Sequence, residues 1–255
     1  MTSQNKLSII GISLALFLFI SVLTSIFGLF HNSISSLDIS LWASRFEFWL
    51  ALLILYFYSS KIEKTNFLLW PEQKKKPIFY IASIIIILIG VTVLLTTISI
   101  VEKEVGLTES NNALNKITDV LCGDKLLLVF TCLTAAFVEE FIFRGYLLPR
   151  LQILTNSKWV AILLSSLLFG LAHFGYSDLN RMLFPFIIGL IFSVYYSKYR
   201  SLTVLIVCHF LMDFYSTYSR CKWMHCRQHS HLCKPIGDST QVRQTQCRLP
   251  QSSSI

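Results

Sequence analysis

Seven long apolar runs constrain this chain more than any other feature. They lie at about Leu7–Phe30, Trp42–Ser60, Ile78–Val101, Leu126–Leu148, Trp159–Phe174, Met182–Ser197 and Leu202–Ser219. A helix needs about 20 mainly apolar residues to cross a hydrocarbon core. Helices of soluble proteins carry a polar face, and most of these runs do not. The expected fold class is all-α, a polytopic transmembrane helical bundle of about seven spans. Composition agrees: 54% of the 255 residues are hydrophobic and 14% are charged, against about 25% charged in a soluble domain. The first run is too long for a signal-peptide core and lacks a small-residue cleavage site, so it reads as a retained span. The last three runs are short and closely joined, so neighbours should be antiparallel. No repeat of about 20–50 residues is visible.

The formal net charge of +8 is carried mostly by short loops and the C-terminal segment. Membrane proteins keep Lys and Arg there to set orientation, so no nucleic-acid partner is implied. In a seven-span arrangement one side holds Lys6, Lys61, Lys64, Lys74, Lys75, Lys76, Arg150, Lys158, Lys198 and Arg200. The other holds Lys103, Lys116, Lys125 and Arg181 before the tail. That bias favours a cytoplasmic N-terminus. Arg220, Lys222, Arg227, Lys234, Arg243 and Arg248 then fall on the opposite side, so either the tail is tolerated there or the span count is off by one. Arg45 and Glu47 stand near the start of the second run, where long side chains can snorkel. Pro77 closes the basic loop before the third run, and Pro149 ends the fourth.

Three regions follow. Residues 1–125 hold three spans and a polar connector, residues 126–219 a four-span core, and residues 220–255 a polar tail read as disordered. The connector contains Glu102, Glu104, Glu109, Asp119 and Asp124, and suits an interfacial or short surface helix. The tail carries Cys221, Cys226, Cys233 and Cys247 with His225, His229 and His231. It has no tight CxxC pair, so a zinc module is not the favoured reading. Cys122, Cys132 and Cys208 lie at or within spans and read as packing residues.

The fourth run contains Glu139-Glu140-Phe-Ile-Phe-Arg144. A charge inside a span costs about 2.5–3.5 kcal/mol on insertion scales. Glu140 and Arg144 are four apart, share a helix face and can pair. Glu139 is rotated about 100° from Glu140, lacks that partner, and should face another helix or a wet cavity. The fifth run places Phe169 four residues before His173, and the seventh places His209 four before Asp213. Three polar constellations in neighbouring spans point to one shared intramembrane site.

A glutamate among apolar groups can act as general base. Two histidines facing it could complete a metal site, with candidate ligands Glu139, His173 and His209, since three N or O ligands plus water is the pattern of catalytic zinc. They could instead hold the water and a developing oxyanion. No HExxH motif is present, so any metal site must be assembled from separate helices.

The motifs EE-x-x-x-R, F-x-x-x-H and H-x-x-x-N/D, each in its own helix, resemble the CPBP family of intramembrane proteases. That family includes the Ras-converting CAAX endopeptidases and the bacterial Abi, or bacteriocin-immunity, proteins. The likeness covers about residues 125–219, and the first three spans carry no matching motif. It implies that Glu139 activates water with the help of His173, that His209 and Asp213 stabilise the oxyanion and orient the site, and that Glu140 and Arg144 support it. Phe169 belongs to the second motif. Asp213 replaces an asparagine of many members. Asn can donate to an oxyanion and ionised Asp cannot, so Asp213 is expected to orient His209 unless it is protonated. The resemblance leaves the cofactor open between Zn2+ and a metal-free glutamate mechanism.

The expected function is an intramembrane endopeptidase, metallo- or glutamate-dependent, in CAAX-type or bacteriocin-related processing. A proton- or ion-coupled transporter and a non-catalytic immunity or scaffold protein are the competing readings. Expected partners are membrane lipids and a protein or peptide substrate, prenylated in the CAAX case. The expected location is a bacterial plasma membrane, with the endoplasmic reticulum as the alternative.

Overall fold

The computed structural model describes residues 3–28, 37–104, 112–173 and 179–228. Their regular elements are all helical: α1 Ser3–Gly28, α2 Leu37–Phe57, α3 Pro77–Glu104, α4 Asn112–Gly123, α5 Lys125–Glu140, α6 Leu148–Thr155, α7 Lys158–Ala172, α8 Leu179–Tyr199 and α9 Leu202–Gln228. A π-helical turn, Tyr58–Glu63, extends α2, and another, Phe141–Leu147, joins α5 to α6. Among the described residues six helices are long and apolar enough to cross a membrane, and α7 is a shorter apolar helix. Large apolar side chains such as Ile78, Ile86, Leu126 and Trp159 point outward and are about two-thirds exposed. Such a surface is stable against lipid, not against water. The chain is an integral membrane protein.

Two ends of the bundle can be distinguished. At the basic end, Ser8 of α1 donates to Glu63, and Arg150 of α6 donates to both oxygens of Glu63 and to the Phe67 carbonyl. Glu72 accepts from the Ser201 and Thr203 hydroxyls at the start of α9. At the far end, Leu37 and Leu41 of α2 pack with Ile117 and Leu121 of α4 and with Leu127 and Leu128 of α5. Asp124 caps α5 by accepting from the Leu126 and Leu127 backbone N–H groups, which would otherwise be orphaned.

Helices α7 and α8 form a close antiparallel pair. A Cβ on Gly170 would stand 2.9 Å from the Phe186 Cβ, and one on Gly189 would stand 3.2 Å from the Ser166 Cα. Small residues at these crossings let the backbones approach.

The structure departs from the sequence reading in four places. Pro149 does not end the fourth span: the helix continues to Thr155. A proline normally clashes with the carbonyl four residues back. Here the widened turn precedes it, and Leu148 N–H bonds to the Phe143 carbonyl five residues back. Arg45 does not snorkel: it is buried and donates to the Ser44 hydroxyl. Cys122 does more than pack, because it is disulfide-bonded to Cys221. The last helix runs on past Ser219 to Gln228, and Cys221 lies within that extension. The short surface helix expected in the connector is α4. Glu109, Phe174 and tail residues 229–255 lie outside the described residues.

Candidate active site

The π turn after Glu140 is what shapes this site. It follows the two glutamates directly, and its Phe143 carbonyl, which accepts the Leu148 N–H within the chain, also accepts from the Ser165 hydroxyl of α7 at 3.1 Å. Single π turns inside α-helices recur at functional sites because they redirect side chains. Arg144 stays within reach of Glu140, with Nη1 at 2.8 Å from Oε1. The guanidinium is fully buried and lies over the ring of Phe169 at 4.3 Å and that of Phe192 at 5.4 Å. Both aromatic faces stabilise the charge where water cannot.

Glu140 Oε1 also accepts from His209 Nδ1 at 2.9 Å. The Arg144–Glu140–His209 chain therefore fixes the imidazole of α9 against α5. His209 Nε2 then points at Glu139 Oε2, 3.9 Å away, and at Asp213 Oδ2, 3.4 Å away. Asp213 thus stands where it can orient His209.

His173 sits one residue past α7, at its C-terminal cap. Its Nδ1 lies 2.8 Å from the Phe169 carbonyl. A carbonyl can only accept, so Nδ1 carries the proton and a neutral His173 presents an unprotonated Nε2. That nitrogen lies 4.0 Å from Glu139 Oε2.

Every residue singled out in the sequence is brought together: Glu139, Glu140, Arg144, Phe169, His173, His209 and Asp213. Phe192 was missed. It is an apolar residue in an apolar helix, and nothing in the sequence marks it as the second face over Arg144.

Glu139 Oε2 is buried without a hydrogen-bond partner. Groups 3.9–4.0 Å apart can share one water at about 2.8 Å from each. The donor types also suit zinc, but a tetrahedral ion with ligands at about 2.0–2.1 Å holds its donors about 3.4 Å apart. Among the described residues, no group of three His, Cys, Asp or Glu side chains is placed to hold a metal ion. The spacing does not fit the ion.

The helices that carry this carboxylate–histidine centre are also where the chain is similar to known membrane proteins. Residues 123–215 match the family model described as type II CAAX prenyl endopeptidase, Rce1-like, so the chain carries an Rce1-like segment. A Bacillus subtilis (strain 168) protein named "Putative membrane peptidase YdiL" is 30% identical over 105 residues. That stretch covers 41% of this chain and 41% of the relative, so the match spans less than half of the curated protein. No solved structure matches the chain.

Proposed function

We propose that the chain is an intramembrane endopeptidase that hydrolyses a peptide bond with water activated by Glu139. The observation that carries this reading is the unpartnered Glu139 Oε2, buried and facing the Nε2 atoms of both His173 and His209. The similarity of residues 123–215 to Rce1-like endopeptidases supports it.

In the proposed reaction Glu139 takes a proton from a water that also donates to His173 Nε2. The hydroxide oxygen bonds to the scissile carbonyl carbon, and the carbonyl electrons move onto its oxygen. A protonated His209 donates from Nε2 to that oxyanion while Nδ1 remains on Glu140. Asp213, 3.4 Å from Nε2, orients the ring. Collapse breaks the C–N bond, and Glu139 returns its proton to the leaving amine. Arg144 holds the Glu140 carboxylate, so His209 stays in place throughout.

The test is cleavage of peptide and prenyl-peptide libraries by the purified protein in detergent, beside Glu139→Gln. Cleavage by wild type that is lost in the variant supports the proposal. Equal cleavage by both removes Glu139 from the chemistry. A pH-dependent ion flux lost in the variant, without any cleavage by wild type, would favour a transporter.

A further inference from the structure

The π turn Phe141–Leu147 sets how Arg144 and the helix beyond it stand relative to Glu139 and Glu140. Such turns are rare, so the contacts around this one bear on whether it persists. One comes from α7, the Ser165 hydroxyl on the Phe143 carbonyl. Others come from the segment that follows α2.

The helical extension Tyr58–Glu63 ends at Lys64, which adopts a φ of 55°. This left-handed residue reverses the chain, and the N–H groups of Lys64 and Thr65 both donate to the Ser59 carbonyl. The next residues lie across the π turn. The Phe67 ring is 5.4 Å from that of Tyr146 and 6.2 Å from that of Phe141. Leu68 lies against Gly145, where a Cβ would stand 2.6 Å from its Cδ2.

Arg150 ties these two layers together. Its Nη1 donates to the Tyr146 carbonyl, inside the π turn, at 3.2 Å and to the Phe67 carbonyl at 3.1 Å. Glu63 holds the guanidinium through both carboxylate oxygens and accepts from the Tyr146 hydroxyl at 3.3 Å. Glu63, Tyr146 and Arg150 are all buried, where such bonds are stronger than in water. Glu63, Phe67 and Leu68 lie outside residues 123–215, the segment similar to Rce1-like endopeptidases.

We infer that Glu63, Phe67 and Leu68 are positioning residues, which clamp the π turn and thereby fix Glu139 and Glu140 against His173 and His209. None of the three contacts the carboxylate–histidine centre. They act through the turn, because closing it to ordinary helical bonding would rotate the two glutamates against Arg144 and α6. The centre has little tolerance for that: His209 Nδ1 is 2.9 Å from Glu140, and the gaps beside Glu139 Oε2 are 3.9 and 4.0 Å. The inference rests on the endopeptidase reading for the rates it predicts, but the clamp on the turn does not.

The experiment compares wild type with the double variant Glu63→Leu, Arg150→Met in detergent. The double variant leaves no stranded charge, so it separates positioning from stability. Its unfolding should stay near that of wild type. Its kcat should fall roughly 10- to 100-fold, the cost of displacing reacting groups by about 1 Å, with KM little changed. Hydrogen exchange read by mass spectrometry should be faster in peptides covering residues 139–148 and unchanged in those of α8, since exchange reports local opening. A stable double variant with wild-type kcat would overturn the inference, because the pair would then serve stability alone. Should the double variant fail to fold, Phe67→Leu carries the test. It keeps the carbonyl bond to Arg150 and removes the ring, so kcat should fall and exchange over 139–148 should rise. Phe67→Leu with wild-type kcat and wild-type exchange would overturn the inference. If wild type cleaves no peptide, the endopeptidase reading fails and exchange alone decides: faster exchange confined to 139–148 supports the clamp, and unchanged exchange overturns it.

Discussion

Arg150→Met should be among the most damaging single changes outside the candidate site. Arg150 is fully buried, and its guanidinium lies 2.7–3.1 Å from both oxygens of Glu63. It also donates to the Ser59 hydroxyl at 3.1 Å and to the carbonyls of Phe67 and Tyr146 at 3.1 and 3.2 Å. Removing it strands the Glu63 carboxylate, which would be left with neutral hydroxyl donors such as Ser8 and Tyr146. Breaking a buried pair from one side costs about 3–5 kcal/mol, a change of roughly 10²- to 10⁴-fold in the folded-to-unfolded ratio. Glu63→Leu combined with Arg150→Met should recover most of that loss, because two apolar groups leave no uncompensated charge. Equilibrium unfolding of the detergent-solubilised protein, followed by tryptophan fluorescence, measures both. Arg150→Met within about 0.5 kcal/mol of wild type would refute the reasoning. So would a double variant that loses the sum of its two singles.

Three further outcomes follow from distances at or near the site. Gly170→Leu should cost about 1–3 kcal/mol by overpacking, since its Cβ would meet the Phe186 Cβ at 2.9 Å and the Met182 carbonyl oxygen at 3.1 Å; the same unfolding assay reads it. Phe192→Leu removes one ring over Arg144. It should lower kcat by roughly 2- to 30-fold, in line with the ~0.5–2 kcal/mol of such contacts, with KM little changed. Asp213→Asn should lower kcat roughly tenfold, because the carboxylate charge 3.4 Å from His209 Nε2, which favours the protonated ring, is lost; a variant as active as wild type would show that this charge does not serve His209.

The site was legible because its residues are costly where they stand. Glu139, Glu140 and Arg144 interrupt an apolar run, and their spacing alone separates the paired from the unpaired glutamate. His173 and His209 were legible for the same reason. The structure adds the link between the motifs: Glu140 serves Arg144 and His209 at once. The Glu63–Arg150 pair was not legible. Both residues lie at the edges of apolar runs, where loop charges are expected, and 87 positions separate them. The Cys122–Cys221 bond spans 99 positions, and sequence holds no signal for which cysteines meet. Pro149 was misread because a proline ordinarily stops a helix, and only the π turn before it removes that conflict.

The central claim is that Glu139 is the base. Its most direct test is the rate at which purified Glu139→Gln cleaves a peptide that wild type cleaves, with folding checked by unfolding in detergent. Gln keeps the shape and cannot take the proton. The account predicts a loss of about 10²- to 10⁴-fold in kcat with stability unchanged. A folded Glu139→Gln that cleaves at the wild-type rate would contradict it.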